Sequence, residues 1–496
     1  MAKERSTSSS QRRSSSGSDR HQPGVGKTLE NAVLLHLGVL IVGLSWWFGG
    51  QSTGARQGLL AWGSLGIVLF FIASGQLRQT GRLDFNPLVH LWPLLLFDAL
   101  VVVSCFNPST RIVLQEGEEM FLHTAPAWSW LPSSARPDLS WRELWMLNGI
   151  VISCYNAFMV LRSRSVLRRL LGLTALNALV LAIFGTFQKL SGAKALWFGL
   201  VPTPQPYFFS TFVYHNHWGA FTTLNVAVCL GLLFHAYRRG GHRDFWHSPV
   251  LLGAVAIVFV AATAPLSASR STTVLLAFFL CGAFVDFLFH VIRRRRGRSE
   301  SAVLPLGGIS LAALLALGGV AYLAQDVIQT RAVHTAAQIE ELRSEAGLTS
   351  RLQLYRDTVR MAAEKPWFGW GLESYGDVFR IFNAQRPKER WFGQRIYLEA
   401  HSDWLQSVAE TGLTGTALLI CLGLAPLLGV SWRQLQSNLP HYLLAGCGLV
   451  LLYAWVEFPF ANPSVLVAFW TCLYVTARYA RLDLRSQRAE NHDPHA

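Results

Sequence analysis

The sequence predicts an all-α, polytopic membrane protein with about twelve transmembrane helices and one large helical extracytoplasmic loop. Two observations carry this. The chain of 496 residues is 51% hydrophobic and only 15% charged, too few charges to clothe soluble domains of that size. The apolar residues also gather into runs of about 18 or more. Such runs cross hydrocarbon as helices, because a helix satisfies every backbone polar group internally. The net charge of +14 falls mostly in short arginine clusters between these runs, a pattern of membrane orientation and not of nucleic-acid binding.

Residues 1–28 are Ser-rich and basic without apolar periodicity, and are expected to form a disordered cytoplasmic tail. Gly24-Val-Gly26-Lys27-Thr28 imitates the end of a phosphate-binding loop. His21 stands where the first glycine belongs, however, and no strand precedes it. The next apolar run is too long for a signal peptide and lacks a clear small-residue cleavage site.

The ~20-residue criterion then places spans at roughly 31–49, 57–75, 88–106, 143–161, 170–190, 217–237, 249–268, 272–292, 303–324, 413–432, 441–458 and 465–479. In domain terms, residues 29–324 hold nine helices and 325–411 the large loop. Residues 412–480 hold three more helices, and 481–496 form a second cytoplasmic tail. The seven cysteines lie in or at the ends of apolar runs with no C-x-x-C spacing, and read as small core hydrophobes.

Arginine clusters at Arg78 and Arg82, at Arg162 to Arg169, at Arg238 to Arg243 and at Arg293 to Arg298 fall on alternate connections. The positive-inside rule puts these and both termini in the cytoplasm, and the large loop in the periplasm. That loop holds eleven Lys or Arg residues, but long translocated segments escape the short-loop rule. Within it, Ser350-Arg351-Leu352-Gln353 has capping-box spacing and opens a helix that Pro366 ends, and Gly369-Trp370-Gly371 makes a turn. Tyr375, Phe379 and Phe382 form an apolar face expected to rest on the bundle or on lipid headgroups. A last helix runs from about His401 to Gly412.

Three polar places fall on the extracytoplasmic side. They are Tyr214-His215-Asn216-His217 at the sixth span, Ser267-Ala268-Ser269-Arg270 between the seventh and eighth, and the large loop with Arg351, Arg356, Arg360 and His401. Each has an ordinary alternative. Arg270 could snorkel to headgroup phosphate, although an arginine in so short an outer turn opposes the charge bias. Arg351, Arg356 and Arg360 could be a solvated helix face, His401 a surface histidine, and Asp403 a first-turn acid favoured by the helix dipole. His215 and His217 lack a third ligand at metal-site spacing, so no metal and no cofactor is expected. Asp98, Asp286 and Glu457 lie in or near spans, and Glu457, close to the outer end of the eleventh, is the best placed for function.

At these residues the chain resembles the bacterial O-antigen ligase and O-antigen polymerase superfamily. The resemblance is carried by the Asn216-His217 opening of the sixth span and the Ser-Arg turn at Arg270. It continues through Arg351, then Pro366-Trp-Phe-Gly369-Trp-Gly371, then His401-Ser402 followed after nine residues by Gly412-Leu-Thr-Gly415. The family commonly has His-Asn where this chain has His401-Ser402; serine keeps one hydrogen-bonding group there.

The resemblance implies a glycosyltransferase of the bacterial inner membrane. It would move a glycan from a polyprenyl diphosphate carrier to a hydroxyl on a lipid A core sugar, a growing polysaccharide or a protein. Arg270 and Arg351 would hold the diphosphate, with Arg356 in reserve, and His401 would activate the acceptor. Asn216, His217 and Asp403 would help bind substrate. The chain has no Asp-x-Asp, which fits a metal-independent reaction on a lipid-borne donor. A transporter or flippase is the alternative from another class and a noncatalytic scaffold the third, although the spans carry few charges and no inverted pair of Gly/Pro-broken helices.

Overall fold

The computed structural model describes residues 24–239, 249–297, 346–384 and 397–492, with scattered single positions excepted. Helices dominate: α1 (Gly24–Trp46), α2 (Thr53–Gln79), α3 (Leu88–Cys105), α4 (Pro137–Val160), α5 (Arg164–Leu190), α6 (His215–Arg239), α7 (Pro249–Leu266) and α8 (Arg270–Arg296) form the first part. The second part holds α9 (Ala346–Glu364), α10 (Tyr375–Phe382), α11 (Asp403–Leu424), α12 (Asn438–Tyr453) and α13 (Pro463–His492). Among the described residues nine helices, α1 to α8 and α11, are long and apolar enough to cross a membrane. The chain is an all-α polytopic membrane protein.

Several boundaries differ from the sequence reading. The helix α1 begins at Gly24, inside the expected tail, because no breaker separates it from Leu29, which is already buried in the core. The expected ninth span, 303–324, lies outside the described residues. The expected span at 441–458 is the shorter helix α12, which ends before Glu457, and α13 continues through the expected tail boundary to His492. The 107–140 connection holds an antiparallel hairpin, β1 (Thr110–Gln115) on β2 (Glu118–His123), pairing Thr110 with His123 through Gln115 with Glu118.

The bundle centres on α6, the most buried of the nine. Small residues let its neighbours approach closely. A Cβ on Gly446 of α12 would stand 2.4 Å from the Cβ of Ala227, and one on Gly219 would stand 2.3 Å from Oγ1 of Thr272 in α8. The N-terminal end of α6 is thereby fixed against the start of α8, and its middle against the middle of α12.

The large loop has its own core. Leu354 and Met361 of α9 pack with Trp370, Tyr375, Val378, Phe379, Ala400 and Ala409. Tyr375 and Phe379 therefore face this core and not the lipid headgroups, because the turn after α9 folds α10 back over it. The helix α9 starts at Ala346, so Ser350 lies within it and not at its cap, and it ends at Glu364 just before Pro366.

The glycine motifs meet in space. Gly369 and Gly412 have φ of 68° and 67°. A Cβ on Gly369 would lie 2.3 Å from the backbone of Glu410, and one on Gly412 2.3 Å from that of Trp367. Four backbone bonds lace the two segments: Trp370 N–H to Ala409 O (3.0 Å), Gly371 N–H to Glu410 O (2.8 Å), Leu413 N–H to Pro366 O (2.8 Å) and Thr414 N–H to Trp367 O (3.1 Å). Gly412 does not end the helix as expected. It breaks α11 for one residue, which frees these donors and acceptors, and the helix then continues as a span. Gly412→Ala forces a side chain into positive φ and into backbone, each costing on the order of 1–3 kcal/mol. Thermal unfolding of the purified protein is expected to shift down by several degrees, whereas Gly423→Ala, in open space on the same helix, leaves it unchanged.

Candidate active site

Glu457, in the connection between α12 and α13, is the hub of the polar cluster, with a side chain only 5% exposed. Three groups distant in sequence converge on its carboxylate. Arg351 Nη2, from the first turns of α9, lies 3.4 Å from Oε1; His401 Nδ1 lies 3.6 Å from Oε2; and the Tyr214 hydroxyl donates to Oε2 at 3.3 Å. Burial alone would push the Glu457 carboxyl up, but the His401 ring, the Arg351 charge and the Tyr214 hydroxyl outweigh it and hold it below the usual carboxylate range. The ionised form is thus the one the fold prefers.

A carboxylate with a depressed folded-state value contributes stability that is complete above its ordinary range and is lost as pH falls through the depressed one. Melting temperatures of wild type and Glu457→Gln should therefore differ fully at neutral pH. The gap should close only below pH ~4.3, the ordinary glutamate value.

Local structure holds His401 in place. Its backbone is left-handed, φ 52°, an unfavourable region for a non-glycine residue. The Tyr355 hydroxyl, one helical turn beyond Arg351, donates to the His401 carbonyl at 3.1 Å. The next residue, Ser402, is the N-cap of α11: its Oγ accepts from Leu405 N–H and donates to Ala454 O, each at 3.4 Å. Serine and asparagine both serve well at an N-cap, which accounts for the tolerated departure from His-Asn. The imidazole stands edge-on to Phe458, centroids 4.9 Å apart, and its Nδ1 makes no hydrogen bond. With Glu457 facing Nδ1, the proton is favoured on that nitrogen, leaving Nε2 as acceptor.

The other expected residues join in different ways. Asn216 donates to the Tyr214 hydroxyl (2.8 Å) and accepts from Ser269 (2.7 Å), so it ties the hub to the residue that caps α8. Arg270 follows as the first residue of α8 and is exposed, and Ala268 just before Ser269 has φ 65°. His217 Nε2 donates to Phe458 O at 3.2 Å, and its ring, like those of Tyr214 and His401, surrounds Phe458.

Asp403 is a brace: its N–H donates to Glu457 O (3.3 Å) and its Oδ2 accepts from Phe460 N–H (3.0 Å). Arg356 is not brought to the hub. It is exposed on another face of α9 and makes no hydrogen bond or ion pair among the described residues. Sequence reasoning left out Tyr355 and Phe458, named Tyr214 only as part of the motif that opens the sixth span, and noted Glu457 without assigning it. An acid at a span end was the available signal for Glu457, and the i, i+4 spacing from Arg351 the signal for Tyr355.

The cluster thus presents a histidine and an arginine, His401 and Arg351, on one buried carboxylate, Glu457. The O-antigen ligase family model matches residues 255–420, which include Arg270, Arg351 and His401. The chain is also 24% identical over 365 residues to exopolysaccharide production protein ExoQ of Rhizobium meliloti (strain 1021), covering 72% of this chain and 75% of ExoQ. These matches support the resemblance to the O-antigen ligase and O-antigen polymerase superfamily.

Proposed function

We propose that the chain is a glycosyltransferase of the inner membrane. It moves a glycan from a polyprenyl diphosphate carrier to a hydroxyl acceptor, with the His401 end of the bundle on the periplasmic side and both termini in the cytoplasm. The observation that carries this is the convergence of His401 and Arg351 on one buried carboxylate, Glu457.

In the proposed step the acceptor oxygen attacks the anomeric carbon while His401 Nε2 takes the hydroxyl proton. The bond from the anomeric carbon to the diphosphate oxygen breaks, and the diphosphate leaves with the electron pair. The negative charge growing on its oxygens is held by Arg351, whose side chain is 57% exposed despite its ion pair, and by Arg270 at the N-terminal end of α8. Glu457 stabilises the imidazolium that forms. Fixed arginines supply the charge stabilisation that a metal ion supplies elsewhere. The prenyl chain remains in hydrocarbon while the diphosphate meets the loop.

The test is the purified protein with a polyprenyl diphosphate-linked glycan, offered a lipid A core, an oligosaccharide or a serine-containing peptide. Free polyprenyl diphosphate and glycosylated acceptor should appear together, with and without EDTA. The acceptor that is glycosylated separates ligase from polymerase from protein glycosyltransferase. Movement of intact donor between leaflets without cleavage would make the chain a flippase and sink the proposal.

A further inference from the structure

Behind the seam made by residues 400–403 and 457–460 lies a cavity of about 440 Å³ that the proposed step leaves unused. It parts α11 from α12 and α13. Leu419 and Gly423 line one wall, and Leu444, Gly448 and Phe469 the other. A Cβ built on Gly423 or Gly448 meets nothing within 4 Å, so the gap is open space and not loose packing. Ile420 and Leu424 line it while remaining 43% and 57% exposed, so the slot opens sideways toward hydrocarbon.

At the His401 end the lining changes character. Glu143, Glu373, Glu399, Asp403 and Glu410 all border it. Arg56 pairs with Glu143 at 3.7 Å and with Glu373 at 3.6 Å. Glu410 accepts from the N–H groups of Glu373 (3.0 Å) and Tyr375 (3.2 Å), and Asp403 from that of Phe460. Burial, and then the nearby Glu373, push the Glu399 carboxyl up to about 7, so it can donate as well as accept a hydrogen bond near neutrality.

An apolar slot with a carboxyl-lined mouth selects its occupant by the hydrogen bonds it can make. The lining holds five carboxyl groups and, among the described residues, no Lys or Arg, and Arg56 beside it is already paired, so a diphosphate or phosphate headgroup finds no free cation there. A head rich in uncharged hydroxyls exchanges hydrogen bonds with the carboxyl groups while an apolar tail fills the slot. Glu399 and Asp403 are each two residues from His401, so such a head sits beside the base. We propose that this cavity binds a lipid-borne acceptor, its tail between α11 and the pair α12 and α13 and its neutral, hydroxyl-bearing head on the carboxyl-lined mouth; this rests on reading His401 as the base. The arginines and the carboxylates then divide donor from acceptor across the seam.

The test uses the full chain in nanodiscs of zwitterionic phospholipid and an alkyl glucoside carrying a photoactivatable group in its chain, with labelled residues mapped by mass spectrometry. Labelling is expected in the slot-facing turns of α11 and α12, displaced by unlabelled alkyl glucoside but not by geranyl diphosphate or phosphatidylglycerol. Gly448→Phe, which fills the slot without touching His401, should cut labelling about tenfold, equivalent to ~1.4 kcal/mol. It should cut transfer to a lipid-borne acceptor to a similar extent and leave transfer to a water-soluble sugar unchanged.

Displacement by geranyl diphosphate would overturn the proposal in favour of a donor slot, and displacement by phosphatidylglycerol in favour of a bilayer-lipid site. Labelling no stronger than at exposed bundle positions such as Phe278 would overturn it altogether. If wild type shows the expected labelling yet transfers no glycan to any acceptor, the catalytic reading fails while the selectivity of the cavity stands.

Discussion

His401→Ala is expected to lower kcat for glycan transfer by about 10²–10⁴-fold, the usual contribution of a positioned general base. KM for the donor should change little, because the imidazole is assigned to the acceptor proton and not to the diphosphate. Alanine at this position also inherits φ 52°, so a loss of activity could be confused with a loss of fold. His401→Asn removes the confusion: asparagine tolerates left-handed backbone but has no basic nitrogen. Both variants should unfold within a few degrees of wild type and both should be inactive. Release of polyprenyl diphosphate at the wild-type rate by a folded His401→Asn protein would remove histidine from the mechanism.

Arg351→Ala is expected to cost about 10²–10³-fold in kcat/KM, the scale seen when one fixed donor to a developing anion is removed. Arg356→Ala, five residues along the same helix, should behave as wild type. The two differ only in where α9 points them, Arg351 toward Glu457 and Arg356 away from the hub. Arg351→Lys keeps the charge but loses the planar fork and should recover only part of the activity. Equal losses in Arg351→Ala and Arg356→Ala would mean that the helix acts as a diffuse basic surface, and the assignment to Glu457 would carry no catalytic meaning.

Much of this site was legible in the sequence because its residues sit where the chain punctuates itself. Asn216 opens a span, Arg270 interrupts two apolar runs, and Gly369 and Gly412 mark positive-φ breaks. The resemblance then linked positions that no local rule connects. What stayed hidden depends on contacts made at long range. Tyr214 and Glu457 are separated by 243 residues, and nothing in either neighbourhood predicts that one hydroxyl meets the other carboxylate. The hairpin at 110–123 escaped notice inside a connection judged by its length alone.

The class of the protein follows from the sequence by itself. Twenty-residue apolar runs leave the backbone no partner in hydrocarbon but its own helix, so span positions and helix type are local consequences of composition. Which polar residues act together is not local. Arg351 and Arg356 both read as arginines for the diphosphate yet only Arg351 reaches Glu457, Asp403 reads as a ligand yet braces Phe460, and Gly412 reads as a helix end yet serves as a one-residue break inside a span. Only the packing of α6, α8, α9 and α11 around the Glu457 connection decided these. A buried carboxylate must be compensated by whatever groups the fold brings within a few ångströms, and the fold brought His401, Arg351 and Tyr214.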